Sequence, residues 1–222
     1  MQYNWDWSIL NNYWVAILSG IATSLYLSLI SILIGTALGI IILNCQVFTR
    51  SKLIKTSIEW IVELLLSIPL LVLLVWIYYC IPILTTIKIS AFLSCIIAFS
   101  INLAPFISET LRSGLDSLPK GYTEAGLALN LPKKAIIKKI LLPQVFIEML
   151  PALITQYISL FKLSSLASVI AVNEILHTAN NIISETYRPL EVFTIIAIVY
   201  IVIIVPISKL TKLLENRDGL SK

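Results

Sequence analysis

The chain has 222 residues, 58% of them hydrophobic and only 13% charged. Soluble domains carry about 45–50% apolar and about 25% charged residues, so the composition excludes an ordinary soluble enzyme and points to a polytopic helical membrane protein. The net charge of +4 is no sign of nucleic-acid binding, because in such a chain the placement of basic residues matters more than their sum.

The opening MQYNWDWSIL lacks the basic region of a signal peptide and is read as retained. Apolar runs then predict five transmembrane helices, at about 16–44, 58–80, 88–111, 146–172 and 191–210. The first is too long to stand vertically and must tilt or extend beyond the bilayer. It carries Gly20, Ser24, Ser28, Ser31, Gly35 and Gly39 on one helical face. Small residues there let another helix come close, within the chain or in a second subunit. Pro69 breaks the second run, and Asn102 with Pro105 breaks the third. Backbone carbonyls freed at such kinks are tolerable where protein or a wet cavity satisfies them, which hints at a central pathway. Cys45, Cys80 and Cys95 have no paired spacing, and His177 has no companion ligands for a metal.

Orientation follows from the basic residues. Arg50, Lys52 and Lys55 lie between the first and second runs, and Arg112, Lys120, Lys133, Lys134, Lys138 and Lys139 between the third and fourth. Lys209, Lys212, Arg217 and Lys222 follow the fifth, whereas the opposite side holds only Lys88 and Arg188. The positive-inside rule then sets the N-terminus outside and the C-terminus in the cytoplasm. Trp5, Trp7 and Trp14 share the outer interface with Trp76, Tyr78 and Tyr79.

The segment from 112 to 144 is a polar interruption in the cytoplasm, and 173–190 is a polar outer loop with a short interfacial helix. Pro119 and Gly121 mark a turn, and a short helix is expected from Tyr122 to Leu129. Asn130 suits the left-handed position that ends it. Pro132 fits the first turn of a second helix, with Ile136, Ile137, Ile140 and Leu141 on one face and lysines on the other. Pro143 is expected to close that element. The basic helix can rest on anionic lipid. The preceding small residues Ala125, Gly126 and Ala128 suit the close approach of another protein.

EAGLALNLPKKAIIKKILLPQ, residues 124–144, resembles the EAA loop of ABC-transporter permeases. Glu124 and Ala125 match, Gly126 stands where a second alanine is usual, Asn130 takes the glycine position, and Leu141-Leu142-Pro143 closes the motif. ISETLRSGLDSLPKGYTEAG and LFKLSSLASVIAVNEI are similar to the flanking segments of the polar amino-acid permease family, with Ser164 in a threonine's place. VELLLSIPLLVLL resembles the end of that family's second span. Its usual Arg-Gly-Thr before the proline is Leu66-Ser67-Ile68 here, so no arginine role is transferred.

The resemblance implies one all-α permease domain over 1–222, the type I ABC importer permease fold, with a cytoplasmic coupling helix. It implies a bacterial inner-membrane location, and as partners two cytoplasmic ATPase subunits, a second copy or paralogue, an extracytoplasmic solute-binding protein and a polar amino acid. In this reading Tyr122, Glu124, Ala125, Gly126, Ala128, Asn130, Pro132 and Pro143 form the ATPase-coupling unit. Glu124 supplies its polar contact, and the small residues permit approach.

Charge inside hydrocarbon costs about 2.5–3.5 kcal/mol, so Glu63, Glu109 and Lys162 ask for reasons, as does Glu59. Glu109 can pair with Arg112 and anchor the entry to the loop. Lys162, near Ser159, Ser164, Ser165 and Ser168, either snorkels, lines the substrate path or pairs with a carboxylate. Pro69, Asn102, Glu109, Lys162, Ser164 and Ser165 are thus the candidate pathway residues. Glu174, Glu185 and Arg188 are expected on the outer surface, available for docking. No phosphate loop, HExxH or GxSxG occurs, so neither cofactor nor catalysis is expected and ATP hydrolysis falls to a separate subunit. A permease for another small solute, or an ATP-independent transporter or channel, stands as the alternative.

Overall fold

The computed structural model describes residues 3–217. Helix α1, Ile9–Phe48, carries the first membrane run. Helices α2, Lys52–Ser67, and α3, Leu70–Thr85, follow and meet at 96°. Next come α4, Ala91–Ser117, and the short α5, Lys120–Ala128. Helix α6 covers residues 133–148 and α7 spans Leu150–Ile170. The chain then forms α8, Ile175–Thr186, and α9, Pro189–Arg217.

The run at 58–80 is therefore not one straight span. Ile68 has ψ 120, out of the helical region, because a residue before proline is driven to extended backbone. The Ser67 hydroxyl bonds the Glu63 carbonyl at 2.8 Å, which fits a helix terminating there. The corner turns α2 sideways and leaves Leu53, Trp60 and Leu64 exposed along it.

The small-residue face of α1 is consumed within the chain. A Cβ on Gly39 would lie 2.7 Å from Ile107, and one on Gly35 would lie 3.0 Å from Leu103, both on α4. Gly20 stands equally close to Thr178 on α8. Ser24, Ser28 and Ser31 are buried along the same seam. Close approach replaces the hydrophobic drive that lipid cannot supply. Around this seam pack Leu27, Leu43, Phe99, Leu103, Ile107 and Leu111, all essentially inaccessible.

Around α8 and the N-terminal segment two expectations are corrected. Glu174 is fully buried and caps α8, accepting from the backbone N–H of His177 at 2.7 Å and of Leu176 at 2.9 Å. It is no docking residue. Burial pushes its carboxyl above the ordinary range, against the pull of those two donors and the Ser24 hydroxyl. Arg188 is half-buried and turns inward, donating to the Asn4 carbonyl and pairing with Glu191 at 3.4 Å. Glu191 is itself buried and also accepts from the Tyr3 hydroxyl and, at 3.0 Å, from the Asp6 N–H. These bonds clasp the N-terminal segment to the start of α9. Glu185 does stay exposed, accepting from Tyr13 at 2.9 Å.

Candidate functional site

Two features stand out: a protrusion at 119–148 and a largely apolar cleft, carrying a few polar groups, beside the helix break at Pro69. The protrusion begins at Pro119, whose carbonyl accepts from Tyr122 N–H at 3.1 Å to start α5. Helix α5 ends in a Schellman turn. Asn130 has φ 54, its N–H donates to the Leu127 carbonyl at 2.8 Å, and Leu131 N–H reaches the Gly126 carbonyl at 3.1 Å. Asparagine substitutes for glycine because its short polar side chain tolerates the left-handed region. Pro132 then starts α6, its carbonyl accepting from Ala135 at 2.8 Å and Ile136 at 3.2 Å.

Tyr122, Glu124, Ala125 and Ala128 all lie on the exposed surface of α5. Gly126 does not. It is buried, and a Cβ there would meet Ile136 at 2.7 Å. Its smallness serves the packing of α5 on α6, which corrects the expectation that it clears space for a partner. Ile136, 1% exposed, is the peg that fills the gap.

Pro143 also departs from expectation, since the backbone stays helical through it. Residues Ile137–Leu141 form a π turn immediately upstream. Proline in a helix clashes with the carbonyl four residues back and lacks an N–H, and a π turn opens the local spacing that relieves both. Helix α6 therefore runs on to Glu148 and hands over to α7 at Met149. Across the root, Gly114 of α4 sits against Met149 and Val145, where a Cβ would come within 2.5 Å and 2.9 Å. Glu109 pairs with Arg112 at 2.5 Å, and Gln46 of α1 donates to Glu109 at 3.4 Å while accepting from Ser108 at 3.0 Å. The protrusion is thus continuous with α7 and bolted to α4 and α1.

The cleft, about 330 Å³, is lined by Ile68, Pro69, Asn102, Phe106, Gln156 and Ser159 among others. It lies where α2 breaks at Pro69, beside Pro105 within α4. Of the candidate pathway residues, Pro69 and Asn102 meet here. Ser164 and Ser165 do not, because their hydroxyls donate to the carbonyls of Phe161 at 2.8 Å and Lys162 at 3.0 Å. Glu109 belongs to the root of the protrusion instead. Lys162 opens into a neighbouring cavity with Thr155, Ser159, Ser208, Thr211 and Lys212, and Ser159 lines both. Gln156 had escaped notice, yet Thr155, Gln156, Ser159 and Lys162 form a polar stripe at helical spacing that could have revealed it.

A multi-pass helical protein with an exposed helix-turn-helix and a cleft beside a broken helix has the features of a membrane permease. Residues 35–217 match the family of binding-protein-dependent transport system inner membrane components, and the chain belongs to it. It is 31% identical to the arginine transport system permease protein ArtQ of Bacillus subtilis, covering 90% of this chain and 91% of that one. To the glutamine transport system permease protein GlnP of Escherichia coli it is 30% identical over 98% of each. The fold superposes on a crystal structure of an amino acid ABC transporter with histidines at TM-score 0.89 and 30% identity, covering 97% of this chain and 100% of that one. An inward-facing MetNI methionine ABC transporter shares the fold at TM-score 0.73 and 19% identity, with 91% and 98% covered.

Proposed function

We propose that this chain is the non-catalytic membrane-spanning subunit of an ATP-driven importer of polar amino acids. In this reading the N-terminus faces outside and the protrusion faces the cytoplasm. Helix α5 docks on an ATPase subunit through Tyr122, Glu124, Ala125 and Ala128, and a second copy or paralogue lies across the cleft. The exposed Leu53, Trp60 and Leu64 lie along α2, whose C-terminal end borders the cleft, and suit such a neighbour. A solute-binding protein delivers substrate at the outer face.

The observation that carries the reading is the continuity of the protrusion with α7. A push on α5 reaches Ile136 through Gly126, and α6 leads without a loop into the helix that lines the cleft with Gln156 and Ser159. Packed elements with two discrete arrangements convert a remote binding event into a switch of access. The cleft's amide and hydroxyl groups, with the Lys162 ammonium next door, suit a zwitterion whose carboxylate needs a cation and whose side chain needs hydrogen bonds. The test is Glu124→Lys, placed on the fully exposed side of α5. It should assemble in membranes yet lose substrate-stimulated ATP turnover when combined with the ATPase subunit; unchanged stimulation would overturn the reading.

A further inference from the structure

A cavity of about 450 Å³ lies apart from the cleft, where the start of α6 faces the end of α1. Asn44, Cys45, Phe48 and Thr49 form one wall, and Lys134 and Lys138 the other. The two lysines are one turn apart on α6, so both ammonium groups reach the same opening. Lys134 sits over the Phe48 ring, 5.6 Å from its centroid. Among the described residues neither lysine pairs with a carboxylate. The Asn44 amide donates one N–H to the Ile40 carbonyl at 2.7 Å, and the cationic donors at the opening are the two lysines.

We propose that this cavity is the headgroup site of an anionic phospholipid of the inner leaflet. The proposal rests on the orientation given above, which puts α1's far end at the cytoplasmic surface. From Trp14 in the outer aromatic belt, Asn44 lies about 45 Å along the helix at about 1.5 Å per residue. A bilayer with its headgroups measures about 40–45 Å, so the cavity falls at headgroup depth. Below it, Ile34, Leu38, Ile41 and Cys45 recur at spacings of four, three and four, and all four are exposed on one face of α1. That stripe gives an acyl chain a track leading directly into the cationic mouth. A soluble anion would use the lysines but leave the stripe unexplained. Phosphate on two ammonium groups with hydrocarbon below is the chemistry of phosphatidylglycerol or cardiolipin, and each basic residue near the surface is worth about 1 kcal/mol of attraction to an anionic lipid, about fivefold in occupancy.

Cys45, exposed and lining the cavity, is a reporter already in place. The full chain is reconstituted into bilayers of phosphatidylcholine alone or mixed with phosphatidylglycerol, and Cys45 alkylation by an impermeant maleimide is timed. Phosphatidylglycerol should slow labelling several-fold, Lys134→Gln with Lys138→Gln should abolish the protection, and the paired arginine variants should retain it. Native mass spectrometry should show the retained lipid lost in the glutamine pair. Equal labelling in both bilayers overturns the proposal. So does equal protection by soluble glycerol phosphate in phosphatidylcholine, which would make the site one for a free anion. Labelling from each side of sealed vesicles separates the two layers of inference: reaction only from the exterior would refute the orientation, whatever the lipid dependence.

Discussion

The protrusion and the cleft are built by opposite means. In the protrusion each residue is fixed by neighbours a few positions away: Pro119 opens α5, Asn130 closes it with φ 54, and Pro132 opens α6. In the cleft, Pro69, Asn102 and Gln156 come from separate segments of the chain and meet only through the packing of distant helices. A locally specified unit suits a rigid lever, whose shape must survive a push. A cleft assembled across helices suits a site that must change shape, since shifting one helix alters every distance within it.

The sharpest way to break this comparison is to deform the lever alone. Gly126→Val would force a side chain into Ile136, and overpacking of this kind costs about 1–3 kcal/mol. Substrate-stimulated ATP turnover should fall at least tenfold while the membrane helices stay folded, as judged by thermal unfolding in detergent. The cleft should respond in the complementary way. Gln156→Leu, losing a hydrogen-bonding partner for substrate, should lower uptake by about 5–150-fold, the range that about 1–3 kcal/mol implies, with basal ATP turnover intact. Removing the α8 cap by Glu174→Ala should cost about 1–2 kcal/mol of stability, read as a lower midpoint of thermal unfolding, because two donors of α8 would lose their acceptor. The smallest effect belongs to Asn130→Gly, which relaxes the left-handed position. It should leave coupling intact and change stability by less than about 1 kcal/mol.

The contrast also governs what was legible in the sequence. The Schellman turn could be read because asparagine between a helical stretch and proline has few other uses. The polar stripe of α7 was there to be read as well, since its period is that of a helix. Three features were not legible, because packing or local backbone detail that no motif announces decides them. Gly126 looks like surface smallness until Ile136 is seen filling the space above it. Pro143 looks like a helix stop until the π turn at Ile137–Leu141 absorbs it. Glu174 looks like an exposed loop acid, yet the tight left-handed turn at Ala171, φ 58, folds the chain back so that its carboxylate caps α8 inside the core. The 96° corner at Pro69 lies between these cases. The break was foreseeable from proline, but its angle depends on the neighbouring α4.

The most direct test of the lever is a distance. With Cys45, Cys80 and Cys95 replaced, a spin label at Ala125→Cys in each of two assembled copies reports the separation of the α5 helices by pulsed dipolar spectroscopy. ATP binding to the assembled complex should shorten that separation while a label pair at the α8 helices responds in the opposite sense. An α5 separation that stays the same with and without nucleotide would contradict the account.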